Sequence, residues 1–76
     1  MLSSKTVGSV IKQLREKKGL SQEVLSGLAD IGRTHLSAIE RGERNPTLET
    51  VFRIAQALDI KPSELVRRIE EEFYKK

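Results

Sequence analysis

The chain has 76 residues, a formal charge of +3 and a sequence pI near 9.5; 37% of the residues are hydrophobic, 33% are charged and none is cysteine. That length allows one core, and the missing cysteines exclude both a disulfide framework and a thiolate zinc site. No apolar run exceeds two residues, which excludes a transmembrane helix and a signal-peptide core, so the expected setting is cytoplasmic.

The spacing predicts five helices and no strand. The first covers roughly 5–18, where Val7, Val10, Ile11 and Leu14 form one stripe, lysines fill the last turn and Gly19 closes the end. The second covers 22–29, with Ser21 as its N-cap and Val24, Leu25, Leu28 and Ala29 as its apolar face. The third covers 33–41, opened by Gly32, with Leu36 and Ile39 inward and Arg33, Thr34, Ser37 and Ala38 outward; Gly42 ends it. The fourth covers 48–58 behind the Thr47 cap, with Leu48, Val51, Ile54, Ala55 and Leu58 at helical spacing. The fifth opens at Pro62 or Ser63 and carries Leu65, Val66, Ile69 and Phe73 on one stripe. The fold class is therefore all-α, a compact five-helix unit over residues 1–76. Only about three residues separate the second and third helices, the spacing of a helix-turn-helix.

Charge is unevenly distributed. The first twenty residues hold Lys5, Lys12, Arg15, Lys17 and Lys18 against Glu16, whereas the middle of the chain is mildly acidic. Any basic patch must be assembled by folding. Mild basicity permits nucleic-acid binding without establishing it.

Several runs stand in a telling order: Leu20-Ser21-Gln22-Glu23-Val24-Leu25, then Ala29-Asp30-Ile31, then Arg33-Thr34-His35-Leu36-Ser37-Ala38-Ile39-Glu40-Arg41-Gly42, then Asn45-Pro46-Thr47-Leu48-Glu49-Thr50. In order and spacing the chain resembles the lambda-repressor-like (xenobiotic-response-element type) helix-turn-helix family over about residues 7–66. Within it, Arg33-Thr34 through Ser37, Ile39-Glu40-Arg41 and Arg44-Asn45 most resemble the controller proteins of restriction–modification systems. Phage repressors of this family are standard examples of helix-turn-helix docking.

The resemblance implies double-stranded DNA as partner, and the residues agree with it. A major groove admits one α-helix whose outer face lacks bulky apolar groups. Arg33, Thr34, Ser37 and Ala38 are the candidate base contacts: Arg33 can hold a guanine edge bidentately, Thr34 can serve a base or a phosphate, and Ala38 can touch a thymine methyl. Gln22 at the start of the second helix is the candidate phosphate clamp, for helix N-termini attract anions and the resemblance assigns the position that role. Arg44 and Asn45 are expected at the sugar–phosphate backbone, with Arg44 at a base as the alternative. Lys17 and Arg41 are weaker backbone candidates, and His35 is either half-exposed beside the third helix or against a phosphate. The resemblance also implies that Glu40 is the buried partner of Arg15.

Val66, Ile69, Phe73 and Tyr74 are the expected dimer interface, on a C-terminal helix (residues 62–75) with more apolar surface than a small domain hides. Val24 and Leu28 are possible further edge contacts. A twofold dimer would set two third helices about 34 Å apart on an inverted-repeat operator. No cofactor, metal, membrane or small-molecule ligand is expected: the lone His35 is no metal set, and nothing reads as a nucleophile with its base. The alternative is an antitoxin-type interaction module with secondary DNA binding, since a fold does not fix a function.

Overall fold

The first four helices end alike. The computed structural model describes residues 2–75 and holds α1 (Ser4–Lys17), α2 (Gln22–Ala29), α3 (Arg33–Glu40), α4 (Leu48–Ala57) and α5 (Pro62–Tyr74). No strand forms among the described residues. Past each of the first four helices the chain turns left-handed, at Gly19, Asp30, Gly42 and Asp59 (φ 72, 57, 79 and 60°). The next N–H then bonds five residues back: Leu20 to Arg15, Ile31 to Ser26, Glu43 to Ala38 and Ile60 to Ala55, at 2.9–3.1 Å. This closure satisfies carbonyls that the helix leaves open. Gly19 and Gly42 take the turn without a Cβ penalty.

The helix starts are equally explicit. Ser3, Ser21 and Thr47 accept the N–H groups of Lys5, Val24 and Thr50 on their side-chain oxygens. Gly32 opens α3 with no side-chain cap bond. Pro62 begins α5, at the position where its missing N–H costs nothing.

All five helices feed one core. Val7, Val10 and Ile11 of α1 meet Leu25 and Ala29 of α2, Leu36 and Ile39 of α3, Val51, Ile54 and Ala55 of α4, and Leu65 and Ile69 of α5. Leu58 joins them just past α4, and Leu20, Ile31 and Ile60, the residues after the left-handed turns, pack against its rim. No helix among the described residues is long and apolar enough to cross a membrane. Met1 and Lys76, the ends of the expected 1–76 unit, lie outside the described residues.

Some expected inward residues face solvent. Leu48 is 70% exposed, and Val24 and Leu28 are also exposed. Leu48 is the first residue of α4, a quarter-turn from the line of Val51, Ile54 and Leu58, so its spacing fits but its azimuth does not. Ile69 corrects the expected interface in the other direction. It lies one turn beyond Leu65 and is only 7% exposed, so it belongs to the core. Val66, Phe73 and Tyr74 flank that line and stay exposed. With Leu2, Glu70 and the edge of Ile69 they line a shallow apolar groove.

Gly8 lets α1 cross the end of α3. A Cβ there would stand 2.1 Å from the Ile39 carbonyl oxygen and 2.7 Å from that of Glu40. Both are backbone atoms, so the helices must move apart. Gly8→Ala gains about 1 kcal/mol in helix propensity, but overpacking of this kind costs about 1–3 kcal/mol, and with two rigid carbonyls in the way the upper figure applies. We expect net destabilisation in urea titrations. Gly27→Ala, where no atom comes within 4 Å of the added Cβ, is expected to stabilise by up to about 1 kcal/mol. A stable Gly8→Ala protein would overturn the close crossing.

Candidate nucleic-acid interface

The starts of α2 and α3 meet at one surface, and a buried ion pair sets their relation. Arg15 of α1 donates from Nε to Glu40 Oε2 at 2.7 Å and from Nη2 to Glu40 Oε1 at 3.0 Å. Its remaining nitrogen, Nη1, donates to the Leu20 carbonyl at 2.7 Å. The Glu40 side chain is only 2% exposed and that of Arg15 11%. Hydrogen bonding to Glu40 raises the Arg15 pKa above its ordinary value, against the opposing effect of burial. Glu40 Oε1 also accepts from Gln22 Nε2 at 2.9 Å. One carboxylate thus ties α1, the first turn of α2 and the last turn of α3 together.

That network places Gln22. Its amide is half-buried, held on one side by Glu40, and lines a shallow notch with Arg15, Ser21, Glu23 and Arg33. One amide N–H is used and the second remains for a ligand. Arg33, the first residue of α3, stands across the notch and is exposed.

On α3, steps of about 100° put Arg33, Thr34 and Ser37 on one outward face, with Arg41 just past the helix above them. Arg33 and Thr34 are exposed and Ser37 is half-buried. Ala38 is not on that face. It is 9% exposed, because it lies on the flank and the chain folds back over it, the Glu43 N–H reaching the Ala38 carbonyl at 2.9 Å. Against expectation, Ala38 thus offers almost no surface to a thymine methyl. His35 is half-buried in the first turn, on the same flank and further round than Ala38.

The arginines divide sharply. Arg15, Arg41, Arg53, Arg67 and Arg68 each hold a carboxylate. Arg33 and Arg44 hold none among the described residues, and both are exposed. The two uncommitted guanidinium groups thus stand at the start of α3 and in the segment after it, beside exposed Asn45. Arg41 pairs with Glu43 at 2.9 and 3.0 Å and also donates to Ser37 Oγ. Hydrogen bonding to Glu43 raises its pKa, and the same bond lowers that of Glu43. Lys17 is placed elsewhere: it lines the groove between α1 and α5 with Val10, Arg68 and Glu72. At the C-terminal end of α1 it turns toward α5 and away from the notch.

Two features escaped the sequence reading. The Gln22–Glu40 bond crosses from one helix to another, and no local pattern marks it. The pairing of Arg41 with Glu43 was legible in principle, since the residues stand two apart around Gly42 and a left-handed turn brings them to one side.

Comparisons place this geometry. Residues 11–65 match the Helix-turn-helix family, from the middle of α1 through α2, α3 and α4 into α5. The uncharacterized HTH-type transcriptional regulator y4dJ of Sinorhizobium fredii is 43% identical over 67 residues, 88% of this chain and 87% of that protein. The restriction–modification controller protein C.AhdI of Aeromonas hydrophila superposes with a TM-score of 0.79 at 42% identity, over 82% of this chain and 94% of that one. The controller protein C.Esp1396I, solved as a tetramer with its natural 35-base-pair operator, superposes with a TM-score of 0.87 at 32% identity, over 95% of both chains. With more than half its length matched and its helices superposing on solved members, the chain belongs to the helix-turn-helix family.

Proposed function

We propose that this protein is a sequence-specific DNA-binding transcriptional regulator that acts as a homodimer on an inverted-repeat operator. The observation that carries the reading is the pair of uncommitted arginines, Arg33 and Arg44, bracketing an exposed helix start on a chain whose other arginines are neutralised. Similarity to controller proteins supports a narrower reading, an autoregulating controller of a restriction–modification system. It works by binding, in the cytoplasm beside its DNA, and regulation comes from its own concentration.

The N-terminal end of α3 enters the major groove. Arg33 reads a guanine through O6 and N7, while Thr34 and Ser37 reach neighbouring base edges. Gln22, its amide fixed by Glu40, gives its second N–H to a phosphate oxygen, joined by the free N–H groups of the first turn of α2. Arg44 and Asn45 grip the backbone beyond α3. These contacts set register, and α3 reads sequence.

The second copy docks on α5. Val66, Phe73 and Tyr74 with Leu2 offer an exposed apolar surface, the two aromatic rings set edge to face with centroids 4.8 Å apart. A twofold axis through this face gives one α3 to each half-site. Selection of bound duplexes from a random DNA pool tests the whole reading. Wild type is expected to enrich an inverted repeat with half-sites about one helical turn apart. Val66→Glu, with a charge on an exposed apolar site, is expected to stay folded, sediment as a monomer and lose the repeat. Weak binding that fades with salt and selects no sequence would sink the reading and favour a protein partner on α5.

A further inference from the structure

The end of α3 breaks a rule that the other left-handed turns keep. After α1, α2 and α4 the residue beyond the turn is apolar and packs on the core: Leu20, Ile31 and Ile60. After α3 the same backbone closure is made, but the residue is Glu43, and it is exposed. The bond from its N–H to the Ala38 carbonyl, 2.9 Å long, holds it over the helix end. Its carboxylate receives Arg41 through Nε and Nη2 at 2.9 and 3.0 Å, and Arg41 in turn donates to Ser37 Oγ. An anion thus stands where a core contact belongs, next to the outward face of α3, and occupies one of its arginines.

We propose that Glu43 is a specificity-determining residue, which withholds Arg41 from indiscriminate phosphate contact. The inference rests on the DNA-binding reading of this face. Non-specific binding is a sum of phosphate contacts, and each one adds about a threefold fall in affinity as salt rises from 50 to 200 mM. A carboxylate already seated in the Arg41 fork competes with a loosely placed phosphate. Base readout by Arg33 is untouched, because Arg33 carries no such partner. Glu43 therefore weakens binding to random DNA more than binding to the operator. Through Arg41 it also sets Ser37: the hydroxyl oxygen accepts from Arg41, so its own hydrogen is left to donate to a base acceptor such as guanine N7 or thymine O4.

Glu43→Gln tests this against Glu71→Gln, which makes the same change in net charge on α5, where Glu71 holds Arg67. Affinities for a random duplex and for the selected operator are measured over a range of salt. Relative to Glu71→Gln, the Glu43→Gln dimer, which frees one Arg41 in each protomer, is expected to bind random DNA about tenfold more tightly at low salt, with a salt slope steeper by about two units. Operator affinity should rise less, so the ratio of operator to random binding falls. In an Arg41→Ala background the gain should vanish. Equal random binding by Glu43→Gln and Glu71→Gln, or a gain that persists without Arg41, would overturn the proposal. A wild-type protein with no preferred sequence would instead remove the DNA-binding reading on which it rests.

Discussion

Glu40→Ala is expected to remove a large share of the protein's stability and to move its urea midpoint sharply down. Removing one member of a buried ion pair costs about 3–5 kcal/mol, because the other charge stays behind without a partner. A chain of this length has only about 4–11 kcal/mol to lose. Here the orphan would be Arg15, whose Nε and Nη2 both end on Glu40 and whose Nη1 reaches only the Leu20 carbonyl. Gln22 would lose its anchor in the same step. Circular dichroism over a urea titration gives the readout: a midpoint equal to wild type would refute the burial and the pairing alike. A companion variant separates folding from positioning. Arg15→Met with Glu40→Leu removes both charges and fills similar volume, an exchange that is often neutral or stabilising. It should recover most of the stability yet leave the Gln22 amide unanchored. We therefore expect a folded protein with weakened DNA binding.

The fold was legible because its signals are local. Most helices carry a cap, an apolar stripe and a stop within a few residues, so Ser21, Thr47, Gly19 and Gly42 mark boundaries in the sequence itself. The two left-handed aspartates, Asp30 and Asp59, are less visible, because aspartate tolerates that conformation without advertising it as glycine does. Azimuth was harder than spacing. Ala38, Leu48 and Ile69 each satisfy helical periodicity, and each sits on the border of its stripe, where neighbouring helices decide between burial and exposure. The returning chain covers Ala38, α4 begins before the core reaches Leu48, and the line of Leu65 carries Ile69 inward. The candidate site was legible as residue types on α3 and not as partners. Which arginines remain free depends on where carboxylates from other turns and helices fall, and that appears only once the chain is folded.

Arg33→Ala carries the largest expected effect on recognition. A bidentate arginine–guanine contact is worth about 1–3 kcal/mol of discrimination. A dimer on an inverted repeat makes the contact twice, so about 2–6 kcal/mol of operator binding is at stake, from some thirtyfold to about twenty-thousandfold. On a random duplex the same change removes at most one phosphate contact per protomer, about threefold each over a modest rise in salt. The substitution should therefore collapse the difference between operator and random DNA, and selection should lose its preference at one base pair in each half-site. Arg33 is exposed and holds no partner among the described residues, so its loss should leave the urea midpoint in place and binding can be read without a folding correction. Gln22→Ala is the contrast. It takes away a phosphate contact and should weaken operator and random binding by similar factors, with no change in the selected sequence. If Arg33→Ala behaves like Gln22→Ala, both side chains hold the backbone, and the reading of sequence must then come from Thr34 and Ser37 or from the shape of the DNA.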